Sequence, residues 1–194
     1  MENIINAMFA VGAHYGYSRT RRHPTTAAHL YGSKNRTDII DLEKTAEMLT
    51  EATEAVKALS AGGKQILFVG TKPEAKDLVK SIASSVNMPY VENRWIGGTL
   101  TNFPQMKKRI EKLHDLLKKK ETGELAVYTK KEQLLIQRDI DRLDRDFGGV
   151  SSLTNLPAAI VVVDPRHESM CVKEANILHI PVVALSNTDC TLEG

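Results

Sequence analysis

Three uninterrupted apolar runs constrain the fold of this chain more than any other feature. They are Gln65–Val69, Ala158–Val163 and Pro181–Leu185. A strand with one face in water alternates apolar and polar residues, whereas a strand covered on both faces is apolar throughout. The runs therefore predict parallel strands inside a sheet that helices cover on both faces.

Helical segments lie between these runs. Pro73 opens a segment that continues to Ala83, and a second helix is predicted from Glu168 to Leu178, with Asp164 and Glu168 near its positive end. Strands that alternate with helices of this length predict a three-layer α/β fold. A parallel sheet usually continues with another crossover, so an end at Gly194 leads us to expect a sequence cut short at its C-terminus.

Composition is that of a soluble globular chain, with 42% apolar and 26% charged residues among 194 and a net charge of +2. No apolar run reaches the roughly 20 residues that span a membrane, and the acidic start does not resemble a signal or transit peptide. Cys171 and Cys190 are too few for a disulfide framework. These features predict a cytoplasmic protein, with no membrane partner.

A charged helical pair is predicted in the third of four regions of the chain, residues 103–147. Its apolar residues are spaced four, three and four, the narrow seam of a two-helix coiled coil. They are Met106, Ile110, Leu113 and Leu117, then Ile136, Ile140, Leu143 and Phe147. The connection from Glu121 to Lys130 is short enough to require an antiparallel return. We therefore expect a hairpin of helices about 25 Å long, inserted at 103–147 in a globular domain formed by 1–102 and 148–194.

Lysines cluster on this pair, with Lys107 and Lys108 near its base and Lys130 and Lys131 beyond its tip. A solvated face would explain such a charge run, because acidic residues are mixed into the second helix. Phosphate contact is the other interpretation, since it requires only basic side chains. No aromatic residue is interleaved there, which argues against base stacking.

Two further segments favour contact with nucleic acid. Basic residues in a loop-like N-terminal segment alternate with Tyr15, Tyr17 and Tyr31, a pattern that suits phosphate contact with base stacking on RNA; they are Arg19, Arg21, Arg22, His23, Lys34 and Arg36. A polar surface loop is the alternative. Arg94 and Trp95 precede a Gly-Gly pair whose backbone other groups can approach closely, although Trp95 could simply pack the helical pair on the sheet.

Enzymatic signals are weak. Gly70-Thr71-Lys72 follows a strand where α/β domains bind phosphate, but no complete phosphate-binding motif is present, and Pro73 lacks an amide hydrogen. A nucleotide-binding enzyme domain is therefore the alternative function, and Lys72 fits a surface cation better. The segment from Asp164 to Glu168 follows the carboxyl end of a strand, where catalytic residues are common in such folds, but Asp and Glu at this position also serve as helix caps.

A metal or other cofactor is not expected. His14, His23 and His29 have no cysteine pair or carboxylate beside them at the spacing of a metal site. No serine or cysteine nucleophile is paired with a histidine in a known pattern. A small-molecule substrate is likewise not expected, and a free adaptor that docks a protein on the helical pair remains a third hypothesis.

Several motifs in order resemble one family. They are Gly12-Ala-His-Tyr-Gly16, Asp41-Leu-Glu-Lys-Thr45, Leu67-Phe-Val-Gly-Thr-Lys72, Arg94-Trp-Ile-Gly-Gly-Thr-Leu-Thr-Asn102, Gly148-Gly149, Asp164-Pro-Arg-His-Glu168 and Val172-Lys-Glu-Ala-Asn176. Together they resemble bacterial-type small-subunit ribosomal protein number two. Tyr17, where the family usually has a second histidine, and His179, where a glycine is common, depart from the pattern.

The resemblance implies a flavodoxin-like domain with a protruding coiled coil, no catalysis, and a place on the small ribosomal subunit. It implies contact with small-subunit ribosomal RNA and with neighbouring proteins, including the large messenger-binding ribosomal protein number one, which members help to anchor. By position, the segment from Arg19 to Arg36 and the turn from Arg94 through Thr101 to Asn102 match the RNA-facing regions of the family.

Overall fold

A computed structural model describes residues 2–192 as an α/β protein with two sheets. The elements follow one another as α1 (Glu2–Ala10), β1 (Tyr15–Ser18), β2 (Leu30–Lys34), β3 (Thr37–Ile40), α2 (Leu42–Ala61), β4 (Ile66–Val69), α3 (Pro73–Ser85), β5 (Tyr90–Val91), α4 (Phe103–Glu121), α5 (Lys130–Phe147), β6 (Ala159–Val163), α6 (Ser169–Ile177) and β7 (Val182–Leu185). Short 3-10 turns occupy Pro24–His29, Glu124–Val127 and Gly148–Val150. Residues 1, 193 and 194, at the two ends of the predicted domain, lie outside the described residues.

The larger sheet has four parallel strands in the order β5-β4-β6-β7. Its three longer strands are the predicted apolar runs, each beginning one residue later than predicted. β4 and β6 are central, and Leu67 pairs with Ile160, both fully buried. Burial of this kind explains why their sequences do not alternate. The order 2-1-3-4, counted along the chain, agrees with a flavodoxin-like sheet.

The N-terminal segment is not the loop that the sequence predicted, because three of its stretches form an antiparallel sheet in the order β1-β3-β2. Tyr15 pairs with Ile39, and Lys34 pairs with Thr37 across a tight connection at Asn35 and Arg36. Both connecting residues have positive φ, of 52° and 65°. The strands are only four or five residues long, and none alternates apolar and polar residues in the way by which strands are recognised in a sequence.

Helices α4 and α5 lie in the region 103–147 where the sequence predicts the helical pair, and α5 begins at Lys130, the last residue of the predicted connection. Thr129 caps α5 in a reciprocal capping box, since its hydroxyl accepts the Glu132 N–H while the Glu132 carboxylate accepts the Thr129 N–H. The side chains of the predicted apolar seam pack into the same hydrophobic core as those of the parallel sheet. The buried ones are Met106, Ile110, Leu113, Ile140, Leu143 and Phe147, and the half-buried ones are Leu117 and Ile136. Burial thus decreases toward the connection between the helices.

Candidate nucleic-acid interface

The carboxyl edge of the parallel sheet collects most of the segments that the sequence singled out. Arg94 to Asn102 follows β5 on one side, and the N-terminal sheet is bonded to the residues that follow β7 on the other. Thr71-Lys72 and Asp164-His167 follow the two central strands. Four strands span about 14 Å at the usual spacing. Two regions far apart in the sequence therefore lie along one edge.

Thr188 attaches the N-terminal sheet to that edge. Its hydroxyl oxygen accepts the Tyr17 N–H at 2.9 Å, and its carbonyl oxygen accepts the His23 N–H at 2.8 Å. The buried Thr26 hydroxyl also donates to this carbonyl, at 3.1 Å. These bonds add to the contact between Lys44 and the Ala28 carbonyl in fixing the segment to the rest of the domain.

The predicted basic residues of this segment differ in their surroundings. Arg19, Arg21, Lys34 and Arg36 are exposed. The Arg21 guanidinium lies 4.7 Å from the centroid of the Tyr17 ring, so this tyrosine already has a cationic partner. Arg22 is half-buried beside the fully buried Asp38, with 3.6 Å between Nη1 and Oδ1. The His23 Nδ1 lies 2.8 Å from the Thr25 hydroxyl and accepts the Thr25 N–H. Four of the six are therefore free to face a polyanion, and two support the sheet.

The loop from Arg94 to Asn102 is built around a buried carboxylate that the sequence analysis did not identify. Glu174 of α6 accepts hydrogen bonds from the Trp95 indole and from backbone amides of the loop. The ring of Trp95 belongs to the hydrophobic core that also contains the helical pair, as its packing interpretation predicted. Arg94, Thr101 and Asn102 are exposed. In this loop the tryptophan supports the backbone, and its polar neighbours are the groups at the surface.

The predicted lysines of the helical pair lie apart from one another. Lys107 is half-buried with its ammonium 5.3 Å from the centroid of the Phe103 ring, while Lys108 is exposed in the same turn. Lys130 and Lys131 are exposed in the first turn of α5, beyond the connection. Only Lys107 and Lys108 are therefore near the Arg94–Asn102 loop along the chain and in the fold.

Side chains of the protein itself occupy the position where a sheet of this kind would bind phosphate. The buried Glu168 carboxylate accepts the Thr71 N–H at 3.0 Å and the Thr71 hydroxyl at 2.5 Å. Lys72 forms an ion pair with Asp164. The predicted capping role of Glu168 is wrong, because its side chain makes no capping hydrogen bond to α6, whereas Asp164 accepts the N–H groups of Arg166 and His167.

The charges at this edge are held in their ionised forms. Burial acts to raise the pKa of Asp164, but the hydrogen bond from Lys72 and two backbone N–H bonds outweigh it and lower the pKa. The same hydrogen bond raises the pKa of the Lys72 ammonium, and Tyr17 of the N-terminal sheet contributes electrostatically. Lys72 is therefore already neutralised by a neighbour, and it is a poorer anion ligand than a free lysine.

Histidines and cysteines do not assemble into a reactive site in this region. Among residues 2–192, no group of three or more His, Cys, Asp or Glu side chains is arranged to hold a metal ion. The Phe9 and Tyr15 rings flank His14, with centroids 4.5 and 4.1 Å from its ring. Cys171 and Cys190 are buried free thiols whose pKa values are raised by burial. None of the helices in the described range is long and apolar enough to cross a membrane.

Fold and surface together define an α/β protein whose predicted basic residues lie along a sheet edge and on a helical pair. The chain matches the family model described as ribosomal protein S2 over residues 8–194. A relative from Mesoplasma florum, named small ribosomal subunit protein uS2, is 43% identical over 180 residues, which are 93% of this chain and 68% of the relative. The chain belongs to the family of ribosomal protein S2, a protein of the small ribosomal subunit.

Proposed function

We propose that this protein is a structural constituent of the small ribosomal subunit that binds small-subunit ribosomal RNA and catalyses no reaction. The arrangement at the carboxyl edge of the parallel sheet carries this proposal. Exposed Arg19, Lys34 and Arg36 flank one side of that edge, and exposed Arg94 and Asn102 flank the other. Cationic side chains spread along an edge suit a phosphate backbone better than a small ligand, which requires a concave site.

The occupied phosphate position favours the same function over a nucleotide-binding enzyme. A bound phosphate would have to displace Glu168 from Thr71 and compete with Asp164 for Lys72. Internal carboxylates already supply the negative charge that these donors stabilise. If the alternative were correct, a nucleotide would raise the melting temperature as its concentration increased, and Lys72→Ala would abolish that rise.

We also propose that α4 and α5 form a coiled-coil arm inserted at 103–147 in a globular domain of 1–102 and 148–194. Support comes from the buried four-three-four seam and from the decrease of burial toward the tip. On this arm, Lys107 and Lys108 would meet RNA near the domain, and Lys130 and Lys131 would meet RNA or a neighbouring protein at the tip. The protein would act in the cytoplasm, as part of the ribosome.

Anchoring of the messenger-binding ribosomal protein number one is the finer part of this proposal. An open groove of about 370 Å³ is lined by His14, Tyr15, Tyr31, Gly32, Ser33, Lys34 and Ile39. Tyr31 is 83% exposed and Tyr15 is 60% exposed. Large aromatic side chains in the open are enriched where proteins contact each other. We assign the aromatic part of this groove, Tyr15 and Tyr31, to a protein neighbour, whereas Lys34 beside it belongs to the residues that face RNA. Tyr31→Ala would therefore weaken binding of the protein neighbour more than binding of RNA.

Salt dependence of binding to small-subunit ribosomal RNA tests the RNA proposal. The logarithm of the association constant should fall linearly with the logarithm of salt concentration. Lys34→Ala with Arg36→Ala should weaken binding and reduce the slope by about one for each phosphate group that the variant no longer neutralises. Lys112→Ala with Arg142→Ala is the matched control, because it also removes one lysine and one arginine, both exposed and both paired with Asp139, at 2.9 and 2.8 Å. Equal effects of the two changes would reject the assigned surface, and binding insensitive to salt would reject phosphate contact.

A further inference from the structure

Glu174 is the most extensively bonded buried side chain among the described residues, and the ribosomal function does not by itself account for it. It lies on α6 and is 5% exposed. Its Oε1 accepts the Trp95 Nε1–H at 3.0 Å and the Gly98 N–H at 2.8 Å. One carboxylate oxygen therefore ties both the side chain and the glycine turn of the loop to the helix.

The second oxygen binds the end of the same loop. Oε2 accepts the Leu100 N–H at 3.0 Å, and the N–H and hydroxyl of Thr101, each at 3.1 Å. Five donors around one carboxylate use all of its acceptor sites. Burial acts to raise the pKa of Glu174, but the hydrogen bonds from Trp95 and the loop amides outweigh it, so the pKa is lowered and the group stays charged.

These bonds give the loop a defined shape despite its glycines. Gly98 has φ of +86°, a conformation that a residue with a side chain adopts only with strain. A loop of this composition would otherwise sample many conformations, and ordering it on binding would weaken affinity. The five bonds order it before any partner arrives.

We propose that Glu174 is a positioning residue for RNA binding, which holds the Arg94–Asn102 loop in the shape that presents Arg94 and Asn102 to a phosphate backbone. This inference rests on the proposed function, because it requires that the loop contacts RNA. Arg94 adjoins the anchored Trp95, and Asn102 adjoins the anchored Thr101. Each exposed group is thus one residue away from a group bonded to Glu174.

The principal variant is Glu174→Gln in the full chain, measured against small-subunit ribosomal RNA at fixed salt. The substitution keeps one acceptor oxygen but presents an NH₂ group to N–H donors, so part of the cluster must open. We expect the dissociation constant of the folded protein to increase about tenfold, the effect of misplacing one charge-assisted hydrogen bond to RNA. The fluorescence of Trp95, the one tryptophan of the sequence, should change as its hydrogen bond is broken.

Glu168→Gln is the matched control, since Glu168 is also buried and flanks the same helix but bonds to Thr71 instead. It should lower the melting temperature without changing the RNA affinity of the folded protein. In a double-mutant cycle, Glu174→Gln should have a smaller effect in the Arg94→Ala background, because its effect passes through Arg94. Equal affinity losses in both glutamate variants, or strict additivity with Arg94→Ala, would show a merely structural role.

If Glu174→Gln does not fold, Trp95→Phe tests whether Glu174 positions the loop for RNA binding. It removes one donor to Glu174 while keeping an aromatic ring in the core, and we expect a two- to threefold weaker affinity. An unchanged affinity in Trp95→Phe, with a loss in Arg94→Ala, would overturn the positioning role and leave the proposed function intact. Unchanged affinity in Arg94→Ala and Asn102→Ala would instead remove this loop from the RNA-binding surface.

Discussion

Gly16 lies against Thr188 so closely that a Cβ atom on the glycine would be 2.5 Å from the threonine Cγ2 and 3.0 Å from its hydroxyl oxygen. This contact joins residues at opposite ends of the described chain, and it packs the N-terminal sheet against the segment that follows the last strand of the parallel sheet. The same threonine accepts the N–H of Tyr17, the next residue. The absence of a side chain at position 16 thus allows both the close approach and the hydrogen bond.

Gly16→Ala should therefore destabilise the protein by about 1–3 kcal/mol, the usual effect of adding a methyl group to a packed interior. Urea unfolding measures the change. Gly32→Ala is the matched control, because a Cβ there meets no atom within 4 Å, and it should change the free energy of unfolding by less than about 0.5 kcal/mol. Adding Thr188→Ser to Gly16→Ala should recover part of the loss, since serine lacks the Cγ2 atom. Equal stabilities of the two alanine variants would contradict the contact.

Leu113→Ala should destabilise the protein by about 2–5 kcal/mol, as expected for a large core side chain replaced by alanine. Leu113 is 1% exposed in the core that α4 shares with α5 and the sheet. Leu134→Ala provides the comparison, because Leu134 is on the second helix but is 52% exposed. Thermal unfolding of both variants checks the difference, and a large loss for Leu134→Ala would mean that the apolar side of α5 near the tip is covered.

Stability should fall as the pH falls below about 5, through the depressed pKa values of Glu174 and Asp164. Both groups bind protons more weakly in the folded protein than in the unfolded chain. Their contribution is therefore complete above the unfolded pKa values and is lost as the pH falls through the folded ones. Urea midpoints from pH 6 to pH 2 measure this loss. Lys72→Met removes the ammonium that lowers the pKa of Asp164, so the part of the stability loss that Asp164 causes should occur at higher pH. Constant stability across this range would contradict the assignment.

Cys171 and Cys190 should react with iodoacetamide only after unfolding. Both thiols are buried, and burial raises their pKa values, so the reactive thiolate is scarce in the folded protein. Labelling followed by intact mass measures the reaction with and without urea. Ser60→Cys, at an exposed position on α2, is a positive control that should be labelled in the folded protein. Rapid labelling of a native cysteine would show that its surroundings open readily.

The parallel strands and the two helices of the pair were accessible from the sequence because their signals are local. Apolar runs such as 159–163 and the four-three-four seam depend on neighbours within one element. The N-terminal strands were missed for the opposite reason. Their polar, glycine-containing sequences carry no alternation, and their place depends on Thr188, which is 171 residues away from Tyr17.

The candidate site divides in the same way. Basic residues are visible in a sequence, so Arg19, Arg36 and Arg94 could be proposed directly. Glu174 could not, because its partner Trp95 is 79 residues away and an acidic residue in a helix carries no mark of burial. For Glu168 the sequence favours a cap on its own helix, whereas its carboxylate bonds to Thr71, 97 residues away. Long-range partnerships of buried carboxylates are the part that only the fold reveals.

The attachment of the N-terminal sheet to Thr188 also has a consequence for the order in which the chain can mature during its own synthesis. β4 cannot complete its pairing until β6 has been synthesised, about ninety residues later. The first three strands can bond to Thr188 only later still. The earliest-made basic segment is therefore among the last to be immobilised. Until residue 188 has been translated, a nascent chain would expose this cationic segment to any polyanion nearby without the bonds that join it to Thr188.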